Sequence, residues 1–142
     1  MKISTKGRYA LRLMLDMAQH REEGYISLRD VSERQNVTLK YLEQIVPPLV
    51  RERLIASRRG ATGGYRLARD PSEYTVGEIL QATEGKLVPV TCMVDRPNRC
   101  GKSTECLTLP FWNGLGNAID RYVNSVTLED ILRQNMEKLI PQ

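Results

Sequence analysis

The chain has 142 residues, of which 41% are hydrophobic and 27% charged, with a formal net charge of +4. That length suits one domain with a core large enough to fold unaided, and the mixed composition excludes fibrous and intrinsically disordered classes. No stretch nears the ~18 consecutive apolar residues of a membrane span, and the opening MKISTKGRYA lacks the apolar run of a secretory signal, so a cytoplasmic protein with no membrane partner is expected.

Charge is shared unevenly. Residues 1–70 hold 14 Lys and Arg against 8 Asp and Glu, whereas residues 71–142 hold 7 against 9. The basic half is the one expected to meet an anion, and nucleic acid is the commonest large one.

In chain order, Tyr9, Ala10, Leu13, Met14, Met17 and Ala18 recur at helical spacing and predict a first helix that stops near Gly24. The short YIS at 25–27 reads as a strand, and Ser27 to Asp30 has the spacing of a capping box opening a second helix over LRDVSERQ. Asn36 tolerates the left-handed backbone of a tight turn, and Thr38 then caps LKYLEQIVPPLVRERL. Two helices joined so closely form a helix-turn-helix candidate, with a kink expected near Val46 and Pro47. LIASRR, GATGG and YRLAR follow as a hairpin, which after a helix-turn-helix is the order of a winged helix. Thr75 and Glu78 cap a further helix. After the polar loop that follows, Trp112, Leu115, Ile119, Tyr122 and Val123 form one stripe, and Thr127 and Asp130 cap a terminal helix ending near Leu139. The expected class is mainly α: a winged helix-turn-helix domain at 1–84 with a small β-hairpin wing, a cysteine loop at 85–110, and a long dimerisation helix with a C-terminal helix at 111–142.

The start of a second helix in a helix-turn-helix points into the major groove of double-stranded DNA, and here it offers Thr38, Lys40, Tyr41, Glu43 and Gln44. Lys40 suits phosphate or guanine, Gln44 pairs with adenine, and Glu43 accepts from a cytosine amine while repelling wrong bases. Arg58 and Arg59 at the hairpin tip suit a narrow minor groove. Set against this, small winged helices also serve as protein-docking scaffolds, and any surface helix exposes Lys, Glu and Gln.

All three cysteines, Cys92, Cys100 and Cys106, fall in TCMVDRPNRCGKSTEC, with seven and then five residues between them. Structural zinc sites keep pairs two to four residues apart, so the spacing argues against a zinc finger. A loop rich in Pro, Gly and Asn also fits poorly with three buried apolar thiols. An iron-sulfur cluster, a peroxide-sensing thiol and zinc stay open, in that order, and Arg96, Arg99 and Lys102 favour the thiolate in each. No phosphate-binding glycine motif is present and the sole histidine has no nucleophile near it in sequence, so an enzyme is not expected.

These motifs together (ISTKGRYA, YLEQ, RRGATGGYRLAR, VGEIL, three cysteines before CLT and Trp, VTLEDIL) resemble the IscR-like winged-helix transcription regulators, which include NsrR and CymR types. The resemblance runs nearly end to end. It implies a homodimer that binds promoter DNA as a repressor of cluster-assembly or cysteine-metabolism genes, with the stripe from Trp112 to Val123 as the dimer seam. Lys40, Glu43 and Gln44 fall on the family's major-groove face and Arg59 on its wing. CymR types lack the three cysteines, which sets this chain toward the cluster-bearing branch.

IscR-like members hold a [2Fe-2S] cluster on three cysteines and a histidine three residues beyond the last, a place taken here by Leu109. The only histidine, His20, lies in the first helix, and the place of the NsrR-type carboxylate is Arg8. The resemblance therefore implies a cluster on Cys92, Cys100 and Cys106 whose fourth bond comes from Glu105, Asp95, Thr108, a partner-subunit group or water. A thiol-based redox or nitric-oxide-responsive regulator without a stable cluster, and a partner-binding module reporting on cysteine or cluster-assembly enzymes, are the alternative expectations.

Overall fold

The computed structural model describes residues Met1–Gln142. Helix α1 (Thr5–Gln19) buries Ala10, Leu13, Met14 and Met17, a stripe set by the 3.6-residue period. Its start is closed from far along the chain. Glu84 accepts from the backbone N–H groups of Ser4 and Gly7, each at 3.0 Å, and from the Ser4 hydroxyl. A Cβ at position 7 would displace that carboxylate from the helix start.

Helix α2 (Leu28–Gln35) starts at Ser27, whose hydroxyl accepts from the Asp30 N–H at 3.1 Å, and ends at Asn36 in the left-handed conformation with φ 52°. Only that half of the expected capping box forms. Helix α3 (Leu39–Arg51) starts at Thr38, whose hydroxyl accepts from Tyr41 N–H at 3.2 Å. The sequence predicts a kink near Val46 and Pro47, but α3 runs unbroken through Pro47 and Pro48. Neither proline can donate to the carbonyl four residues back; those residues, Glu43 and Gln44, are exposed, so water can take the place of the missing donor.

Strands β1 (Ile55–Arg58) and β2 (Gly64–Leu67) pair antiparallel, from Ile55 with Leu67 to Arg58 with Gly64. The predicted YIS strand contributes a single bridge, with Ile26 N–H donating to Tyr65 C=O at 2.8 Å and Tyr65 N–H returning to Ile26 C=O at 2.9 Å. Gly64, at φ 144°, lets the two backbones approach, since a Cβ there would strike Ile26.

Tyr74, fully buried, ties the wing to the core. Its hydroxyl accepts from the N–H groups of Ala68 (2.8 Å) and Arg69 (2.9 Å) and donates to Leu54 C=O (2.5 Å), while the Arg69 guanidinium lies 4.4 Å from the ring centroid. Helix α4 (Val76–Glu84) follows with both halves of the Thr75–Glu78 capping box in place.

The main core joins α1, α2, α3, β1 and Tyr74, and it also takes in Leu128. A second, smaller cluster sets Val76 and Leu80 of α4 against Leu87, Val123 and Val126, with Ile119 packed beside them. Helix α5 (Leu109–Ser125) supplies Ile119 and Val123. The predicted terminal helix is broken: α6 (Leu128–Leu132) and α7 (Met136–Leu139) are separated by Gln134 at φ 53°. Asp130 organises that turn, accepting from Thr127 N–H and hydroxyl at 2.9 Å each, from Asn135 Nδ2 at 3.1 Å and from Lys138 Nζ at 3.3 Å.

The helix-turn-helix is further braced by a buried charge. Asp16, 1% exposed, receives Arg34 on both oxygens (Nη2–Oδ1 2.7 Å, Nε–Oδ2 3.1 Å) and Gln35 Nε2 at 2.9 Å. Burial would raise its carboxyl, but the bonds from Arg34 and Gln35 and the charge of Arg34 outweigh burial and hold it below the ordinary carboxylate value. His20 Nδ1 sits 2.8 Å from the Asp16 carbonyl oxygen, so the sole imidazole already has a partner far from the cysteines in sequence.

Candidate nucleic-acid interface and cysteine loop

Thr38, Lys40, Glu43 and Gln44 are exposed on the first two turns of α3. Thr38 is occupied as the helix cap. Tyr41 is half-buried, its ring edge-on to Tyr9 at 5.8 Å, and Arg12 lies 4.8 Å from the Tyr9 centroid. Tyr41 therefore packs α3 against α1 and leaves the open face to Lys40, Glu43 and Gln44.

The two predicted wing arginines differ. Arg58 lies 4.6 Å from the Tyr25 ring centroid and donates from Nη2 to Thr62 C=O (3.2 Å) and Oγ1 (3.3 Å), so it closes the hairpin turn. Arg66 stands 4.7 Å from the same ring. Arg59 at the tip is exposed and takes part in none of the fold's ion pairs or side-chain hydrogen bonds. Tyr25 and Tyr74, which position the wing, escaped the sequence reading, because an isolated tyrosine carries no local signal of what its ring or hydroxyl meets across the fold.

The cysteine loop has little regular structure beyond a short turn at Thr91–Met93. Cys92 and Cys100 are exposed and Cys106 half-buried, and all three are free thiols. Cys106 Sγ lies 3.4 Å from Thr108 Oγ1; hydrogen bonds from that hydroxyl, then from the Thr108 and Leu109 N–H groups, hold its thiol below the ordinary value. No three His, Cys, Asp or Glu side chains converge on one point. In kind, three thiols on an irregular loop with one already biased toward thiolate suit an iron-sulfur cluster; Leu109 offers no fourth donor. Leu109 lines a cleft of about 370 Å³ with Asp95, Asn98 and Asn113, which none of the three cysteines lines; Thr108 is engaged with Cys106, and Asp95 pairs with Arg99 at 3.7 Å.

The predicted apolar stripe of α5 divides between two faces. Val123 is buried and Ile119 joins it in the cluster against α4, Trp112 is half-buried with its ring edge-on to Phe111 at 4.9 Å, and Leu115 (38% exposed) and Tyr122 (42%) face outward, as does Phe111 (65%) outside the predicted stripe. Periodicity detects an apolar helix but does not tell its inner face from a second one.

A family model described as Rrf2, iron-dependent transcriptional regulator, matches residues 3–134. The chain belongs to the Rrf2 family. Among its Rrf2 relatives is the HTH-type transcriptional regulator IscR of Photobacterium profundum, 38% identical over 95% of this chain and 77% of that protein. The Protein rrf2 of Nitratidesulfovibrio vulgaris is 37% identical over 94% and 88% respectively. Among solved structures, the global cysteine regulator CymR of B. subtilis superposes with a TM-score of 0.75 at 37% identity, covering 92% of this chain and 95% of that one. T. potens IscR superposes with 0.74 at 36%, covering 100% and 93%. These two solved structures stand equally near by overall likeness. The fold is the winged helix of Rrf2 regulators, and the protein is a transcriptional regulator and not an enzyme. No helix is long and apolar enough to cross a membrane.

Proposed function

We propose that this Rrf2 regulator acts as a homodimeric repressor of iron-sulfur assembly or cysteine-metabolism genes, reading promoter DNA through α3 and the wing under the control of an iron-sulfur cluster, of the [2Fe-2S] type, on Cys92, Cys100 and Cys106. The observation that carries the DNA reading is the bare face of Lys40, Glu43 and Gln44 beside a wing whose Arg59 has no internal partner. The outward face of Phe111, Leu115 and Tyr122 supports the dimer.

Arg59→Ala is expected to weaken binding most on duplexes with A·T-rich flanks, where a narrow minor groove concentrates negative potential. Glu43→Ala should instead relax the choice of sequence, since a carboxylate both accepts from cytosine and repels wrong bases. Titrations on duplexes varied at flank and centre check both: equal weakening on all of them would contradict each assignment.

A bound cluster would supply a redox- and oxygen-sensitive charge to the loop. The chain's own part is to offer three thiols, with the weak fourth donor drawn from Glu105, Asp95, Thr108, a partner-subunit group or water. Leu109→His should place an imidazole donor at position 109 and slow the bleaching of the reconstituted protein's visible bands in air, with Cys106→Ala as the variant that holds little or no iron. Identical decay in wild type and Leu109→His would mean that position 109 does not meet the metal. A thiol switch without a cluster is the second reading, favoured by the lowered Cys106 thiol and by donors that do not converge. It predicts protein without iron and sulfide after anaerobic purification, yet with DNA binding that responds to peroxide.

A further inference from the structure

The last turn of α3 carries a cation that base reading leaves unused. Lys40, Glu43, Gln44, Pro47 and Arg51 are all exposed and recur at steps of three and four residues, so they form one stripe along the helix. Gln44 to Arg51 is about two turns, roughly 10 Å of rise. There the stripe meets the wing across an open groove of about 580 Å³, with Arg51, Arg58 and Arg59 around a floor of Val46, Pro47 and Tyr65.

No carboxylate lines this groove. Glu52, next in the chain, lines a different cleft, with Arg69 and Glu78. Arg51 enters none of the fold's ion pairs or side-chain hydrogen bonds. A cation in a last turn complements the helix dipole in any protein, but that alone gives no reason for the end of α3 to part Arg51 from Glu52 and set it in one groove with the unpartnered Arg59. A concave site lined by Arg51 and Arg59, neither of which has an internal partner, and by no acid is a seat for an anion, and its position between a major-groove helix and a minor-groove wing is where a duplex backbone passes.

We infer that Arg51 binds a backbone phosphate of duplex DNA in the groove between α3 and the wing, fixing the register between the two reading elements. This rests on the DNA-binding reading above. Phosphate contact and base contact leave different signatures. Losing one phosphate partner lowers the slope of log affinity against log salt by about one and weakens all sequences alike.

The test is an anisotropy titration of the full-length protein over about 50 to 200 mM salt, on a duplex selected from a random pool and on its scrambled counterpart. Arg51→Ala should weaken both about fivefold near 0.15 M salt, the factor one released counterion contributes, and lower both slopes by about one. Arg51→Lys should keep the slope, and the unfolding midpoint of Arg51→Ala should match wild type. An unchanged slope, a loss confined to the selected duplex, or a fall in unfolding midpoint would overturn the inference. Wild-type protein that binds neither duplex would instead remove the DNA-binding reading and the inference with it.

Discussion

Asp16→Ala is expected to lower the stability of the fold by about 3 kcal/mol at neutral pH, because the carboxylate is 1% exposed and joins α1 to α2 through Arg34 and Gln35. Its removal strips three charge-assisted donors of their acceptor. The sign of the pH dependence follows from the direction of the shift. The folded-state value lies below the ordinary 3.8, so the carboxylate's contribution is fully present above that value and is lost as pH falls through the lower, folded one. Urea midpoints of wild type and Asp16→Ala should therefore differ most at neutral pH and converge in acid. A gap of equal size at both ends would assign the effect to packing instead of charge.

The second large effect concerns assembly. Leu115→Glu should convert a dimer to a monomer and lower operator affinity by about a hundredfold or more, since each half-site would then bind without the effective concentration its neighbour provides. Leu115 faces outward, so the charge can be solvated in the separated subunit. Ile119→Glu, the change the sequence stripe suggests first, would strike the cluster against α4 and confuse unfolding with dissociation. Sedimentation beside binding checks this; a wild-type monomer that binds one half-site tightly would defeat it.

Features set by neighbours in sequence were legible before the fold was known. The Thr75–Glu78 and Thr127–Asp130 caps need only four consecutive residues, and the turn at Asn36 needs one tolerant of positive φ. Groups whose partners lie far along the chain were not. Nothing near Glu84 announces that it closes α1, and nothing near Asp16 announces Arg34. The break at Gln134 was hidden because an amide at positive φ is unusual and the Asp130 bonds that hold it span five and eight residues. Of the residues predicted to face DNA, Lys40, Glu43, Gln44 and Arg59 stand open, whereas Tyr41 and Arg58 pack against neighbouring groups, which residue type alone does not reveal.

Leu128 lies at 0% exposure inside the main core, and the strip around it bonds to the segment after the wing, Val76 N–H to Val126 C=O at 2.9 Å and Leu128 N–H to Tyr74 C=O at 3.2 Å. A gene cut short before codon 126 still encodes all of α3 and the hairpin, but its product lacks the piece that seats Tyr74 and seals the apolar interior. Such a truncated product is expected to unfold instead of persisting as a separate half-regulator, and a protease digestion of residues 1–125 beside the full chain checks this.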